Sequence, residues 1–318
     1  MFKQNKTRKK VLRGGDNRYS NQSRMSIQET LETLGLASEQ TTTHFHKGTR
    51  DNPNIDVYHD KNSGVIYIKD FYVGEEEYES GEYRNDSAAL AGKKSQYKDY
   101  ERANDCARRT ESLRQFYIGK KIADFGCGYG DFLCATGDYT TDAVGFELQE
   151  NCVRDLNEKG IRCFKSLNNI PNKSIDTFFL FHSFEHLPEP LNTLTEIRSK
   201  LSDSGKVVIE VPHANDFLIS LLGQKSFIDF TLWSQHLILH TRASLKSFLE
   251  HSGYKNISIK GVQRYPISNH MYWMTNNKPG GHRSNLSLLE TPDLNQAYAA
   301  ALAAADATDT LLAIADAS

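Results

Sequence analysis

Ile122-Ala123-Asp124-Phe125-Gly126-Cys127-Gly128-Tyr129-Gly130-Asp131 is the stretch that decides the fold: a short apolar strand runs straight into a turn with glycine at every second position. A helical pattern opens directly after it, over residues 132–135. Glycine at such a turn lets the backbone bend sharply and approach a ligand with no Cβ in the way. The spacing is G-x-G-x-G, not the G-x-G-x-x-G of a dinucleotide site, where a helix N-terminus receives a pyrophosphate. An acid, Asp124, stands on the strand just before the glycines. A carboxylate there opposes a phosphate and suits a ligand that carries an ammonium or sulfonium. A second acid, Glu147, ends the next apolar run, Val144-Gly145-Phe146-Glu147, at a strand tip where a carboxylate can accept both hydroxyls of a ribose.

Outward from this loop, strand and helix patterns alternate. Residues 151–159 read as a helix stopped by Gly160, and residues 175–181 as a continuous apolar run, as expected for a central parallel strand covered on both faces. Residues 190–201 form an amphipathic helix with Pro190 in its first turn, and residues 206–211 a further strand closed by Pro212. A helix over 242–252 and a strand over 256–260 follow. This order predicts an α/β fold, a doubly wound and mostly parallel sheet. Upstream, Ile55 and Val57 against Val65 and Tyr67 predict a hairpin around residues 61–64, and residues 95–117 an amphipathic helix ended by Gly119. A short helix is predicted over 26–36, and the alanine-rich residues 292–318 read as a helix or helical hairpin. The expected organisation is a disordered basic tail over 1–50, a hairpin and lid helix over 51–118, a core over 119–262, and a substrate-pocket segment with a helical tail over 263–318.

With 38% hydrophobic and 25% charged residues, the 318-residue chain has the composition of a folded soluble protein. Its net charge of −2 gives no reason to expect a polyanionic partner for the whole molecule. No apolar run approaches the roughly 20 residues that cross a bilayer, and the basic N-terminus lacks the apolar segment of a secretory signal. Five cysteines, with no C-x-x-C pair, argue against a disulfide framework or structural zinc and for a cytoplasmic setting.

Asp124 to Asp131, Glu147 and Phe181-His182-Ser183-Phe184-Glu185-His186-Leu187-Pro188-Glu189-Pro190 together resemble class I S-adenosylmethionine-dependent methyltransferases. The last segment is similar to a bacterial subgroup that modifies sugars and other small metabolites, and residues 204–212 continue the likeness. The resemblance implies a Rossmann-like sheet of the seven-stranded type and S-adenosylmethionine as cofactor. The cofactor-binding set it implies is Asp124, Gly126, Cys127, Gly128, Gly130, Glu147, Leu148, Ser166, Leu167 and His182. Within it the glycine backbone holds the methionine moiety, Glu147 the ribose, and Ser166-Leu167 the side of the adenine. His182 falls where the family's chain passes the methyl-transfer site.

The segment Trp233-Ser234-Gln235-His236-Leu237-Ile238-Leu239-His240-Thr241 is similar to the part of sugar methyltransferases that supplies a general-base histidine. An imidazole with a pKa near 6.5 is suited to deprotonating a hydroxyl, so His236 and His182 are the candidate catalytic residues, with a pocket-lining role for His236 as the alternative. His240 reads as structural. His182-x-x-Glu185-His186 matches an inverted zinc-protease pattern, but it runs into two prolines that stop a helix, so no metal is expected. Tyr78, Tyr83, Arg264, Asn269 and His270 are the candidate substrate contacts, in a polar-aromatic region that would equally suit a homodimer interface. The expected activity is O-methylation of a small acceptor, a sugar or nucleotide-sugar. The alternatives are an RNA methyltransferase that uses the basic arm, against which the N/D-P-P-Y pattern is lacking, and a non-catalytic partner subunit.

Overall fold

The computed structural model describes residues 25–72, 74, 79 and 96–318. The basic arm over residues 1–24 and the tyrosines Tyr78 and Tyr83 lie outside the described residues. At the N-terminal side, the predicted short helix spans Ile27–Thr33 and is closed by a capping box between Ser26 and Glu29. Three strands follow: β1 (Thr42–Lys47), β2 (Asp56–Asp60) and β3 (Ile66–Tyr67), all antiparallel. The β2–β3 hairpin is the predicted one. Asp60 makes its turn by accepting from the backbone N–H groups of Asn62 and Ser63 at 3.0 and 2.9 Å. The expected tail over 1–50 is therefore corrected from residue 26 onward. The sequence Thr42-Thr43-His44-Phe45-His46-Lys47 is too polar to announce a strand, and becomes one through its pairing with β2.

The main sheet contains β4 (Lys121–Phe125), β5 (Asp142–Phe146), β6 (Arg162–Phe164), β7 (Ile175–Phe181) and β8 (Leu201–Pro212), all mutually parallel. A short β9 (Ile238–Leu239) pairs with β3 and so joins the N-terminal sheet. β10 (Lys255–Val262) and β11 (Thr310–Asp316) complete the large one, in the order β10-β11-β8-β7-β4-β5-β6. Of these seven strands β11 runs antiparallel to the other six. The expected doubly wound, mostly parallel seven-stranded sheet is what forms.

Side chains along the central strands divide cleanly between two cores. Phe178 and Leu180 of β7, with Val207, Ile209 and Val211 of β8, enter one core. Phe179 and Phe181, with Val208, enter the other. The period of two buries both faces, which is why the centres of these strands carry consecutive apolar residues.

The helical tail needs correction in its second half. Residues Pro292–Ala304 are helical, but Thr310–Asp316 are β11, inserted between β8 and β10. Leu311, Ala313 and Ala315 face one core, and Leu312 and Ile314 the other. A short apolar run covered on both sides has no distinguishing period, so its neighbours decide its state. Among the described residues, no helix is long and apolar enough to cross a membrane.

The sheet order reverses between β4 and β7, since β5 and β6 lie on one side and β8 on the other. In open α/β sheets, ligands bind beyond the carboxyl ends of the strands at such a switch point. Gly126, which follows β4, and His182, which follows β7, lie at this place.

Candidate active site

Gly126, Gly128 and Gly130 all adopt left-handed backbone, with φ of 73°, 56° and 73°. Side chains are also excluded by space: a Cβ on Gly126 would lie 2.7 Å from Cβ of Ser183, and one on Gly130 2.4 Å from the Leu156 side chain. The loop is tied to β5 by Gly126 and Cys127, whose N–H groups donate to the Phe146 carbonyl at 2.8 and 3.1 Å. A cleft of about 180 Å³ opens beside it, lined by Phe125, Gly126, Glu147, Leu148, Lys165, His182 and His186 among others. Glu147 accepts from the backbone N–H groups of Gly128 (2.9 Å), Leu148 (2.8 Å) and Gln149 (3.0 Å), so this carboxylate and the glycine loop hold each other.

The other residues of the expected cofactor set lie around or beneath this cleft. Asp124 is buried under the loop, and burial pushes its pKa up to about 7, against the pull of the Arg109 cation and with help from Glu147 and Asp131. Cys127 turns inward and places its sulfur 3.8 Å from that of Cys163. Ser166 caps a short turn by accepting from the N–H of Asn168, and Leu167 is buried in the core, so the wall of the cleft there is Lys165.

His182 has φ of 51°, a left-handed backbone that is costly for a residue with a Cβ. Its N–H donates to the Glu210 carbonyl at 2.8 Å. Its Nδ1 lies 3.3 Å from a Glu185 oxygen and its Nε2 3.4 Å from a Glu210 oxygen. Burial and the Arg264 charge lower its pKa, but the two carboxylates outweigh them, so the imidazolium is favoured.

Glu210, at the end of β8, is the centre of an ion-paired knot that the sequence reading missed. Arg108 grips its carboxylate with two bonds of 2.9 Å, and Arg109 adds bonds of 3.0 and 2.5 Å. Both arginines come from the helix Gln96–Ser112, which lies across the carboxyl ends of the sheet. The same helix is pinned by Arg102 to Asp131 at 2.7 and 2.6 Å, and by Asp105 to Arg264. An Arg-Arg pair aimed from a helix at a lone strand glutamate was the available signal. The predicted single helix is broken at Leu113 and resumes over Arg114–Tyr117.

Around the Asp105–Arg264 pair lies a second cavity, of about 290 Å³, whose walls include Arg108, Arg264, Tyr265, His282 and Tyr298. Of the expected substrate contacts, Arg264 lines it. Asn269 and His270 lie beneath its wall: Asn269 accepts from the N–H of Gly280 at 3.0 Å, while His270 stacks on Phe217 and bonds the Tyr298 hydroxyl at 2.6 Å.

His236 lies beside the 182–188 segment because Leu237 is held on both sides. Its N–H donates to the Glu185 carbonyl at 2.9 Å, and its carbonyl accepts from Ile68 at 3.0 Å. The His236 ring is 5.1 Å from that of His186, and burial first, then the neighbouring His186, pushes its pKa down to about 3. His186 holds Nδ1 2.7 Å from the Gln235 carbonyl. Glu185, His186 and His236 each bring a ligand atom within 4.8 Å of the others. The residues Phe184–His186 form a 3₁₀ turn, so the zinc-protease helix is not built. His240 is buried, stacked on Phe184 and bonded to Ser244, a structural role as expected.

Residues 99–259, just over half of the chain, match the methyltransferase domain family. Among solved structures, the fold is similar to a SAM dependent methyltransferase from Archaeoglobus fulgidus, with 21% identity over 70% of this chain and 100% of that one, at a TM-score of 0.49. It is also similar to an S-adenosylmethionine dependent methyltransferase from Mesorhizobium loti, with 16% identity over 67% of this chain and 99% of that one, at a TM-score of 0.45. A search of the curated proteins returned no match. The chain belongs to the methyltransferase domain family and is an S-adenosylmethionine-dependent methyltransferase.

Proposed function

We propose that the chain methylates a hydroxyl oxygen of a small polar acceptor, a sugar or nucleotide-sugar, in the cleft between the glycine loop and the His186–His236 pair. The observation that carries this reading is the meeting, at one sheet switch point, of a left-handed glycine loop with a half-buried imidazole pair. The residues suit S-adenosylmethionine: the left-handed glycine loop borders the cleft at Gly126, and acids rather than cations flank the loop at 124 and 147. When bound, the cofactor would supply a sulfonium methyl group to an acceptor oxygen. Asp124, Gly126, Cys127, Gly128 and Gly130 form the cradle for its methionine end. Glu147, Leu148 and Lys165, which line the cleft, would hold its nucleoside, and a ribose would share Glu147 with the three N–H groups that already hold it.

Placement does most of the catalysis here, since aligned reactants reach effective molarities of roughly 10⁵ M or more. His182, held between Glu185 and Glu210, serves as a positioning group beside the cleft rather than as the proton acceptor. Deprotonation of the acceptor falls to the cluster that contains His236. The cavity beyond the Arg108–Glu210 pair offers Arg264, Tyr265 and Tyr298 to the body of the acceptor. His236→Ala is expected to bind S-adenosylmethionine with unchanged affinity and to lose on the order of 100-fold in turnover. Calorimetry and a methyl-transfer assay on candidate sugars measure the two effects, and a full-speed variant would remove His236 from the reaction.

A proton is expected to accompany cofactor binding. Asp124, raised to about 7, is protonated below that pH, and a cationic ligand favours its ionised form. Affinity should therefore climb as pH rises toward 7 and then level off, with up to one proton released per binding event at pH 6. Calorimetry in buffers of different ionisation enthalpy reads this release. Asp124→Asn should abolish it, and equal heats in all buffers for the unaltered chain would contradict it.

A further inference from the structure

We infer that Glu185, His186 and His236 form a binding site for one divalent transition-metal cation at the wall of the methyl-transfer cleft. Two buried polar atoms there have no hydrogen-bond partner. Glu185 is 1% exposed; one of its oxygens meets His182 Nδ1, and the other has no hydrogen-bond partner. Nδ1 of His236 is likewise buried and without a partner. A buried carboxylate oxygen left in this way is destabilising unless something positive meets it, and Glu185, His186 and His236 each bring one ligand atom within 4.8 Å of the others.

The surroundings are those of a metal ligand set. Nδ1 of His186 is directed at the Gln235 carbonyl at 2.7 Å, which makes it the N–H donor and turns the lone pair of Nε2 toward Glu185, 4.0 Å away. A ring nitrogen fixed in this way by a backbone carbonyl is the usual outer support of a ligating histidine. His182 orients the Glu185 carboxylate, and Leu237 pins the two segments together. His186 lines the cleft, which provides the access route. Two imidazoles and one carboxylate favour Mn²⁺, Co²⁺ or Zn²⁺ over Mg²⁺, and leave coordination positions open. The absence of a helix, which argues against the protease pattern, does not prevent this, because the third ligand arrives from a segment some 50 residues away.

The inference rests on the proposed reading only for its chemical purpose. A cation at this point lowers the pKa of an acceptor hydroxyl. The proton then leaves to solvent, the oxygen pair forms the new C–O bond, and the C–S pair goes to sulfur. The site itself is tested without turnover. The full chain, stripped with a chelator, is titrated with Co²⁺ by calorimetry and by visible absorption. One equivalent with ligand-field bands is expected, and Kd should weaken at least about 100-fold in Glu185→Gln and in His236→Ala, both checked for unchanged melting and circular dichroism. Weak, multiple or unshifted binding, or variants that bind like the parent, would overturn the site and show that water or a shared proton fills the gap. Cobalt binding without any affinity for S-adenosylmethionine would instead sink the methyl-transfer reading and leave the metal site standing.

Discussion

Gly128→Arg is expected to weaken S-adenosylmethionine binding more than 100-fold while the protein stays folded. Gly128 is left-handed, with φ of 56°, and its N–H donates to a Glu147 oxygen at 2.9 Å. Any other residue at such a φ costs on the order of 1–2 kcal/mol, a small part of a domain's stability. The larger effect is on the ligand. An arginine brings a guanidinium to the carboxylate proposed for the ribose, and a cation to a cradle flanked by acids. Calorimetry with the cofactor, beside a melting curve, separates the two effects. Affinity within tenfold of the parent, in a folded variant, would place the cofactor elsewhere.

The second large effect is on stability. Glu210→Gln should lower the melting temperature by roughly 10 °C, because it leaves Arg108 and Arg109 half-buried beside a neutral amide. Removing one partner of a buried pair costs about 3–5 kcal/mol, and each kcal/mol is worth about 2–4 °C in a chain of this size class. Burial alone would raise the Glu210 pKa, but Arg109, His182 and Arg108 hold it well below the usual carboxylate range. A depressed carboxylate contributes its full stability above the unfolded value, near 4.5, and loses it as pH falls through the folded one. The difference in melting between parent and variant should thus be constant from pH 5 to 8 and narrow only in strong acid. Calorimetric scans across that range check it, and a melting point within 2 °C of the parent would mean the knot is not what seats the helix Gln96–Ser112. A neutral glutamine also frees one face of His182, so the same variant should move the pH profile of methyl transfer.

Three readings show why some features could be anticipated and others not. The glycine loop was apparent because its requirement is local: three residues must be left-handed, and only glycine meets that repeatedly at no steric cost. The strands β7 and β8 were apparent because burial on both faces writes consecutive apolar residues, Phe178 to Phe181 and Val207 to Ile209, into their centres. By contrast β11, with the sequence Thr310-Leu311-Leu312-Ala313-Ile314-Ala315-Asp316, is equally good helix or strand by composition. It is a strand because β8 and β10 offer it two rows of unpaired backbone groups.

The chain alone thus settles the α/β layout and the left-handed turn at Gly126, Gly128 and Gly130, with acids at 124 and 147, since each follows from periodicity or from the conformational needs of neighbouring residues. Only the folded molecule brings Glu185 to His236, Arg108 and Arg109 to Glu210, and Asp105 to Arg264. These partners are about 50 to 160 positions apart, and each alone looks like an ordinary surface polar group. Burial is what changes their meaning. Charges that water would screen at the surface must find one another once the sheet and its crossing helix exclude the solvent.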